Sequence, residues 1–163
     1  MYTLEQLHML NSQVKYPYST SSLEKLVGVY PHMVLFAIEL ANVVDCRIVF
    51  GVRTDEEQNA LFKMGRSSMD GYKKKSNHQK KSDGYGYALD ILPLPKEVNM
   101  YLDDGNEDEI RWGQFDGLCH GIAHMLGIKV RTGFKWRDNM MDSLARPEKA
   151  NTLPDGNHVE LIL

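Results

Sequence analysis

Cysteine is scarce in this chain. There are two in 163 residues, Cys46 and Cys119, and neither stands in a motif. That argues against a disulfide framework and against thiolate metal ligands, and both residues, set among apolar neighbours, are expected to be buried free thiols. Long hydrophobic runs are missing too: no stretch of about 18 apolar residues occurs, so no membrane-spanning helix and no stable membrane insertion are expected. The opening residues, MYTLEQLHML, contain no basic segment followed by an apolar one. No signal peptide is expected, and synthesis in a reducing cytoplasm is. Positive charge is not in excess. Nineteen Lys and Arg against 22 Asp and Glu give a net charge of −3, which lacks the global basic signature of a nucleic-acid binder. What remains, 42% hydrophobic and 25% charged residues without an internal repeat, reads as one soluble domain over residues 1–163, long enough to bury a core without staples.

Helical and strand signals interleave along the chain. Thr3 is a candidate N-cap for a helix over 3–14, with Leu4, Leu7, Leu10 and Val14 at helical spacing. Ser21 or Ser22 opens a short second helix closed by Gly28, and Pro31 starts a third that runs to Asn42 and is apolar nearly all round, as a core helix is. Cys46–Phe50 reads as a buried strand. Thr54 and Glu57 form a capping box for a helix over 55–64, ended by Gly65. Residues 66–86 are loop by composition, and 87–92 alternate as a strand that Pro93 and Pro95 stop. Residues 103–109 form an acidic loop, 112–126 an amphipathic helix ended by Gly127, 128–132 a strand, 137–150 a short helix or loop, and HVELIL a closing strand. Without a βαβ rhythm, the expectation is α+β: a small, mostly antiparallel sheet flanked by helices.

Two stretches carry the chemistry: SNHQKKSDGYGYALD (76–90) and DGNHVE (155–160). A catalytic zinc needs three nitrogen or oxygen ligands and an open position for water. His78, Asp90 and His158 supply the three, with one zinc as the expected ion, though other divalent metals suit the same donors. Asp155, three residues before His158, is left to take a proton from the water. Side chains two apart in a strand share a face. If Leu89 and Ile91 face the core, Asp90 faces a cleft on the open side of the sheet. Val159 and Leu161 likewise leave His158 and Glu160 outward. The plain alternative makes Asp90 a strand-edge carboxylate and His158 a surface histidine.

Other candidates weigh less. His120 and His124 are four apart on one helix, but Gly121 stands where HExxH peptidases carry their glutamate and no third ligand is near, so they read as helix-face histidines. Arg53, just past a strand end, can bind a carboxylate or a developing oxyanion; its plain alternative is a surface ion pair with Asp55 or Glu56. Gln58 on the next helix can face the same cleft. Lys73, Lys74, Lys75, Lys80 and Lys81 make a basic patch that reads as a solvated, mobile loop, with steering toward an anionic surface as the second reading.

With these residues in view, the chain resembles the zinc peptidases that include D-alanyl-D-alanine carboxypeptidases and the L-alanyl-D-glutamate endopeptidases of phage lysis. The pattern Ser-x-His…Gly-x-Ala-x-Asp is met by Ser76, His78, Gly86, Ala88 and Asp90, and Asp-x-x-His by Asp155 and His158. The arginine motif is met by Gly51, Arg53, Thr54 and Gln58, with Val52 in the aromatic place. GVRTDEEQNALFKMGRS and GIKVRTGFKW are similar to the phage-endolysin branch. The likeness spans roughly residues 20–163. Two departures stand out. Seven residues, Gln79 to Tyr85, separate His78 from Gly86 where the family usually has two. Gly133, Phe134, Lys135 and Trp136 stand where it often has Gly-Gly-Asp-Trp.

The resemblance implies a zinc endolysin that cuts the L-alanyl-D-glutamate bond of the peptidoglycan stem peptide, and no separate wall-binding domain is expected within residues 1–163. It implies metal ligands His78, Asp90 and His158, Asp155 as general base, Arg53 as oxyanion partner, and Ser76, Gln58 and Glu160 as substrate-contacting or supporting residues. A monomer, made in the host cytoplasm and acting on the wall after release, is expected. The alternatives are a D-alanyl-D-alanine carboxypeptidase or dipeptidase, and a zinc-bearing binding domain without catalysis.

Overall fold

A computed structural model describes residues 1–94, 100, 109–133 and 157–162. Among them the chain forms α1 (Leu4–Asn11), α2 (Thr20–Leu26), α3 (Pro31–Val43), β1 (Cys46–Phe50), α4 (Asp55–Lys63), β2 (Ala88–Pro93), α5 (Glu109–Met125), β3 (Lys129–Thr132) and β4 (His158–Ile162). The strands make one open antiparallel sheet in the order β1-β2-β4-β3. The fold is α+β, as expected.

Local chemistry explains most boundaries. Thr3 and Thr54 each complete a reciprocal capping box, with Gln6 and Glu57, at the starts of α1 and α4. Pro31 sits in the first turn of α3, where its missing N–H has no partner to lose. From that helix Met33, Val34, Phe36, Ala37, Leu40 and Ala41 are fully buried, and each large apolar side chain removed from water contributes about 1.5–3 kcal/mol. Leu89 and Ile91 of β2 and Val159 and Leu161 of β4 join the same core. α5 ends at Gly127, whose positive φ of 66° and the Ile128 N–H to Ala123 carbonyl bond close the helix. Both cysteines are free and buried, and burial pushes their pKa up, to about 11 for Cys46.

The structure departs from the expectation in several places. Ser19, rather than Ser21 or Ser22, caps α2 by accepting from the Ser22 N–H, and α5 starts at Glu109 rather than at 112. α1 stops at Asn11 rather than reaching residue 14, because the buried Asn11 amide turns inward to clasp the backbone of Tyr18 at 2.9 and 2.8 Å. The lysine-rich loop, expected to be mobile, is pinned. Asp70 Oδ1 accepts from the N–H groups of Tyr72, Lys73 and Lys74, and the fully buried Gln79 ties the loop to Asp55 and to Gly71. The expected loop or helix over 137–150, Phe134 to Trp136 and the acidic segment up to residue 108 lie outside the described residues, as does Asp155.

Candidate metal centre

Register brings the first two ligands together. β2 and β4 pair so that Asp90 lies opposite His158 and Ala88 opposite Glu160. With the apolar alternates turned to the core, both acidic residues and His158 project from the other face. That face is covered: Asp90 and His158 are each only 6% exposed and Glu160 only 5%. The strand-edge and surface readings of these residues are therefore excluded, and the expected cleft is a largely enclosed site.

His78 arrives from the loop. The β1–β2 ladder contains a bulge between Ile48 and Phe50, which bends the strand end. From there the Arg53 N–H bonds the His78 carbonyl at 3.0 Å. Gly51 lets the strand end pass close to α2, since a Cβ there would stand 1.8 Å from the Lys25 carbonyl oxygen. Gly86 has the same role on the other side, where a Cβ would meet the His78 carbonyl at 2.9 Å.

Three lone-pair atoms converge. His78 Nε2 lies 3.1 Å from Asp90 Oδ1 and 3.2 Å from His158 Nδ1, and His158 Nδ1 lies 3.1 Å from Asp90 Oδ1. Ligands about 2.0 Å from a tetrahedral zinc stand about 3.3 Å apart, so the triangle matches a zinc coordination face. Among the described residues this is the group of His, Cys, Asp or Glu that can hold a metal ion. The outer hydrogen bonds set both tautomers. His78 Nδ1 is 2.7 Å from the Gly51 carbonyl, which only accepts; Nδ1 carries the proton and Nε2 keeps its lone pair. His158 Nε2 is 3.2 Å from Glu160 Oε2. That carboxylate is held down to about 2: burial opposes, but bonds from His158, Asn77 and Arg131 prevail. It too only accepts, so the proton facing it sits on His158 Nε2, and Nδ1 is the ring nitrogen turned toward Asp90 and His78.

Both carboxylates are anchored. Asp90 Oδ2 takes the Arg53 guanidinium at 2.6 Å. Glu160 Oε1 takes Arg131, its cross-strand partner on β3, through Nε at 2.7 Å and a second, shorter bond. Asn77 donates to Glu160 Oε2 at 2.7 Å. Burial alone would raise Asp90 and lower His158. The hydrogen bonds and opposite charges between them, with His78 and Glu160, outweigh it: Asp90 sits well below the usual carboxylate range and His158 rises to about 9. Without a metal, a proton therefore occupies this triangle at neutral pH.

The other expected residues fall as follows. Arg53 binds Asp90 and stacks over Phe50 at 5.0 Å; the alternative partner Asp55 is taken by Lys75 and Gln79. Gln58, expected to face the cleft, is instead 0% exposed. It accepts from the Ser76 hydroxyl at 2.9 Å and donates to Ser67 and Met69, pinning the loop that carries His78. His124 is exposed and His120 lies 3.5 Å from Asp116, so neither joins the centre. Asn77 and Arg131 were missed by the sequence reading. Arg131 becomes legible only with the β3–β4 register, which sets it opposite Glu160, where a basic residue facing an acidic one stabilises the pair.

A model of the phage L-alanyl-D-glutamate peptidase family matches residues 14–162. The chain belongs to that family of peptidases. No curated protein matches it. Among solved structures, the Serratia marcescens L-Ala D-Glu endopeptidase ChiX superposes with a TM-score of 0.61 at 23% identity, covering 91% of this chain and 92% of that one. That likeness is one of fold. No helix among the described residues is long and apolar enough to cross a membrane.

Proposed function

We propose that the chain is a zinc-dependent endopeptidase that hydrolyses the L-alanyl-D-glutamate bond of the peptidoglycan stem peptide and acts as a phage endolysin. The observation that carries this reading is the convergence of His78 Nε2, Asp90 Oδ1 and His158 Nδ1 within 3.2 Å of one another, with both histidine tautomers fixed for ligation. Two imidazoles and a carboxylate suit zinc and leave one position open. When bound, the metal supplies a Lewis acid that brings the pKa of a water to about 7 and polarises the scissile carbonyl. His78, Asp90 and His158 would hold it, and Arg53 and Glu160 orient Asp90 and His158. Asp155, outside the described residues, takes the proton from the attacking water and returns it to the leaving amine. The chain works as a monomer, made in the host cytoplasm and reaching the wall on release.

The test is digestion of purified peptidoglycan with and without chelator, reading released ends by mass spectrometry. New N-terminal D-glutamate, lost on chelation and restored by zinc, is the expected result. Release of terminal D-alanine would replace it with a carboxypeptidase. No cleavage by the zinc-loaded protein would leave a binding domain.

A further inference from the structure

Beside the metal triad lies a groove of about 340 Å³, with Asn77, Lys81, Tyr87, Arg131 and Glu160 in its lining. Two links join it to the triad. Asn77 directly precedes His78, and Glu160 receives His158. The Glu160 carboxylate is fully engaged by Arg131, Asn77 and His158. Lys81 is not engaged in the same way. Its half-buried ammonium donates one bond, to the Ser76 carbonyl at 3.0 Å; the Glu160 carboxylate acts on it only at longer range, and no ion pair within 4 Å involves it among the described residues. An ammonium has three protons to donate, and a partly buried cation favours an anionic partner.

Lys81 belongs to the segment Gln79 to Tyr85 by which this chain departs from the family pattern. The segment is ordered. The Lys81 N–H bonds the Tyr85 carbonyl, and the Gly84 N–H bonds the Lys81 carbonyl, both at 2.9 Å. Gly84 has a φ of 85°, which favours glycine. The Asp83 carboxylate holds the Tyr85 N–H and the Tyr87 hydroxyl. Tyr85 meets the Tyr30 ring edge-on and Tyr87 stacks on it at 4.8 Å. A turn fixed at both ends thus holds a lysine at the groove.

We propose that Lys81 is the anchor for a free carboxylate of the bound peptide, a specificity residue supplied by the inserted turn. This rests on the peptidase reading above. A glutamyl residue uses one carboxyl to continue the chain and keeps the other, so the stem peptide carries an anion beside the scissile amide. The peptide's terminal carboxylate is the second source of the same chemistry.

The test uses the zinc-loaded full chain and three synthetic stem peptides: unmodified, amidated at the glutamyl carboxylate, and amidated at the C-terminus. Binding is read by calorimetry and cleavage by KM and kcat. In the native protein one amidation weakens binding about 10-fold, the scale of one charge-assisted hydrogen bond, and identifies the source. Lys81→Met removes that discrimination, Lys81→Arg retains it, and Lys80→Met, an exposed neighbour, retains it. Equal binding of all three peptides by the native protein, or unchanged discrimination in Lys81→Met, overturns the proposal. Lys81-dependent discrimination in binding without any cleavage would overturn the endopeptidase reading alone. Cleavage with discrimination unchanged in Lys81→Met would overturn the anchor alone.

Discussion

Asp90 and His158 face each other across the β2–β4 ladder, with Asp90 Oδ1 3.1 Å from His158 Nδ1. One strand register therefore sets two of the three candidate ligand positions, and a one-residue slip of either strand would turn its member of the pair into the core. The third, His78, depends on a loop held by side chains, and the consequences differ.

Glu160 reaches the candidate metal site through His158. Glu160→Gln keeps the size but supplies a weaker acceptor and releases Arg131 from its ion pair. Zinc affinity should fall about 10–100-fold, the usual cost of losing such an outer carboxylate. Competition with a coloured chelator measures it, and unchanged affinity would show that Glu160 does not support the metal.

The metal-free protein should lose stability as pH rises. The folded pKa of His158 is raised to about 9 from an unfolded value of about 6.5. Its stabilising contribution is complete below about 6.5 and disappears as pH climbs through about 9. Thermal unfolding of chelated protein between those limits should show a falling Tm. Zinc-loaded protein, in which the metal replaces that proton, should show no such fall. A flat profile for chelated protein would contradict the assignment.

Gly51→Ala should be among the costliest small substitutions. The added Cβ meets the Lys25 carbonyl at 1.8 Å, so α2 or the end of β1 must move, and with it the carbonyl that fixes His78. A loss of about 2 kcal/mol or more, together with weaker zinc binding, is expected from urea unfolding and metal titration. Gly84→Ala, with open space around its Cβ, should lose only the cost of its positive φ, about 1 kcal/mol.

Asp155→Ala should abolish hydrolysis while one zinc per chain remains bound. Metal analysis alongside peptide cleavage separates the two. Full activity in this variant would remove Asp155 from the role of base.

Much of this was legible in the sequence because local rules and tertiary structure agree. The N-cap at Thr3, the capping box at Thr54, the apolar α3 and the alternation of β2 and β4 each appear where the pattern puts them. The candidate metal group was read from residue types and, for Asp90 and His158, from strand parity, and the structure gathers those two with His78. What stayed hidden was decided by long-range contacts. Asn11 ends α1 by clasping Tyr18, and Gln58 is spent inside the loop. Arg53 turns to Asp90 rather than to the nearer Asp55. Register between β3 and β4, which pairs Arg131 with Glu160, cannot be read from either strand alone.

The most direct test is zinc stoichiometry with X-ray absorption on the native protein and on His78→Ala, Asp90→Ala and His158→Ala. The account predicts one zinc per native chain, bound by two imidazole nitrogens and a carboxylate oxygen at about 2.0–2.2 Å. It predicts loss of tight binding in each variant, in step with loss of cleavage. Full zinc occupancy in any of the three variants, or a native spectrum with no imidazole, would contradict it.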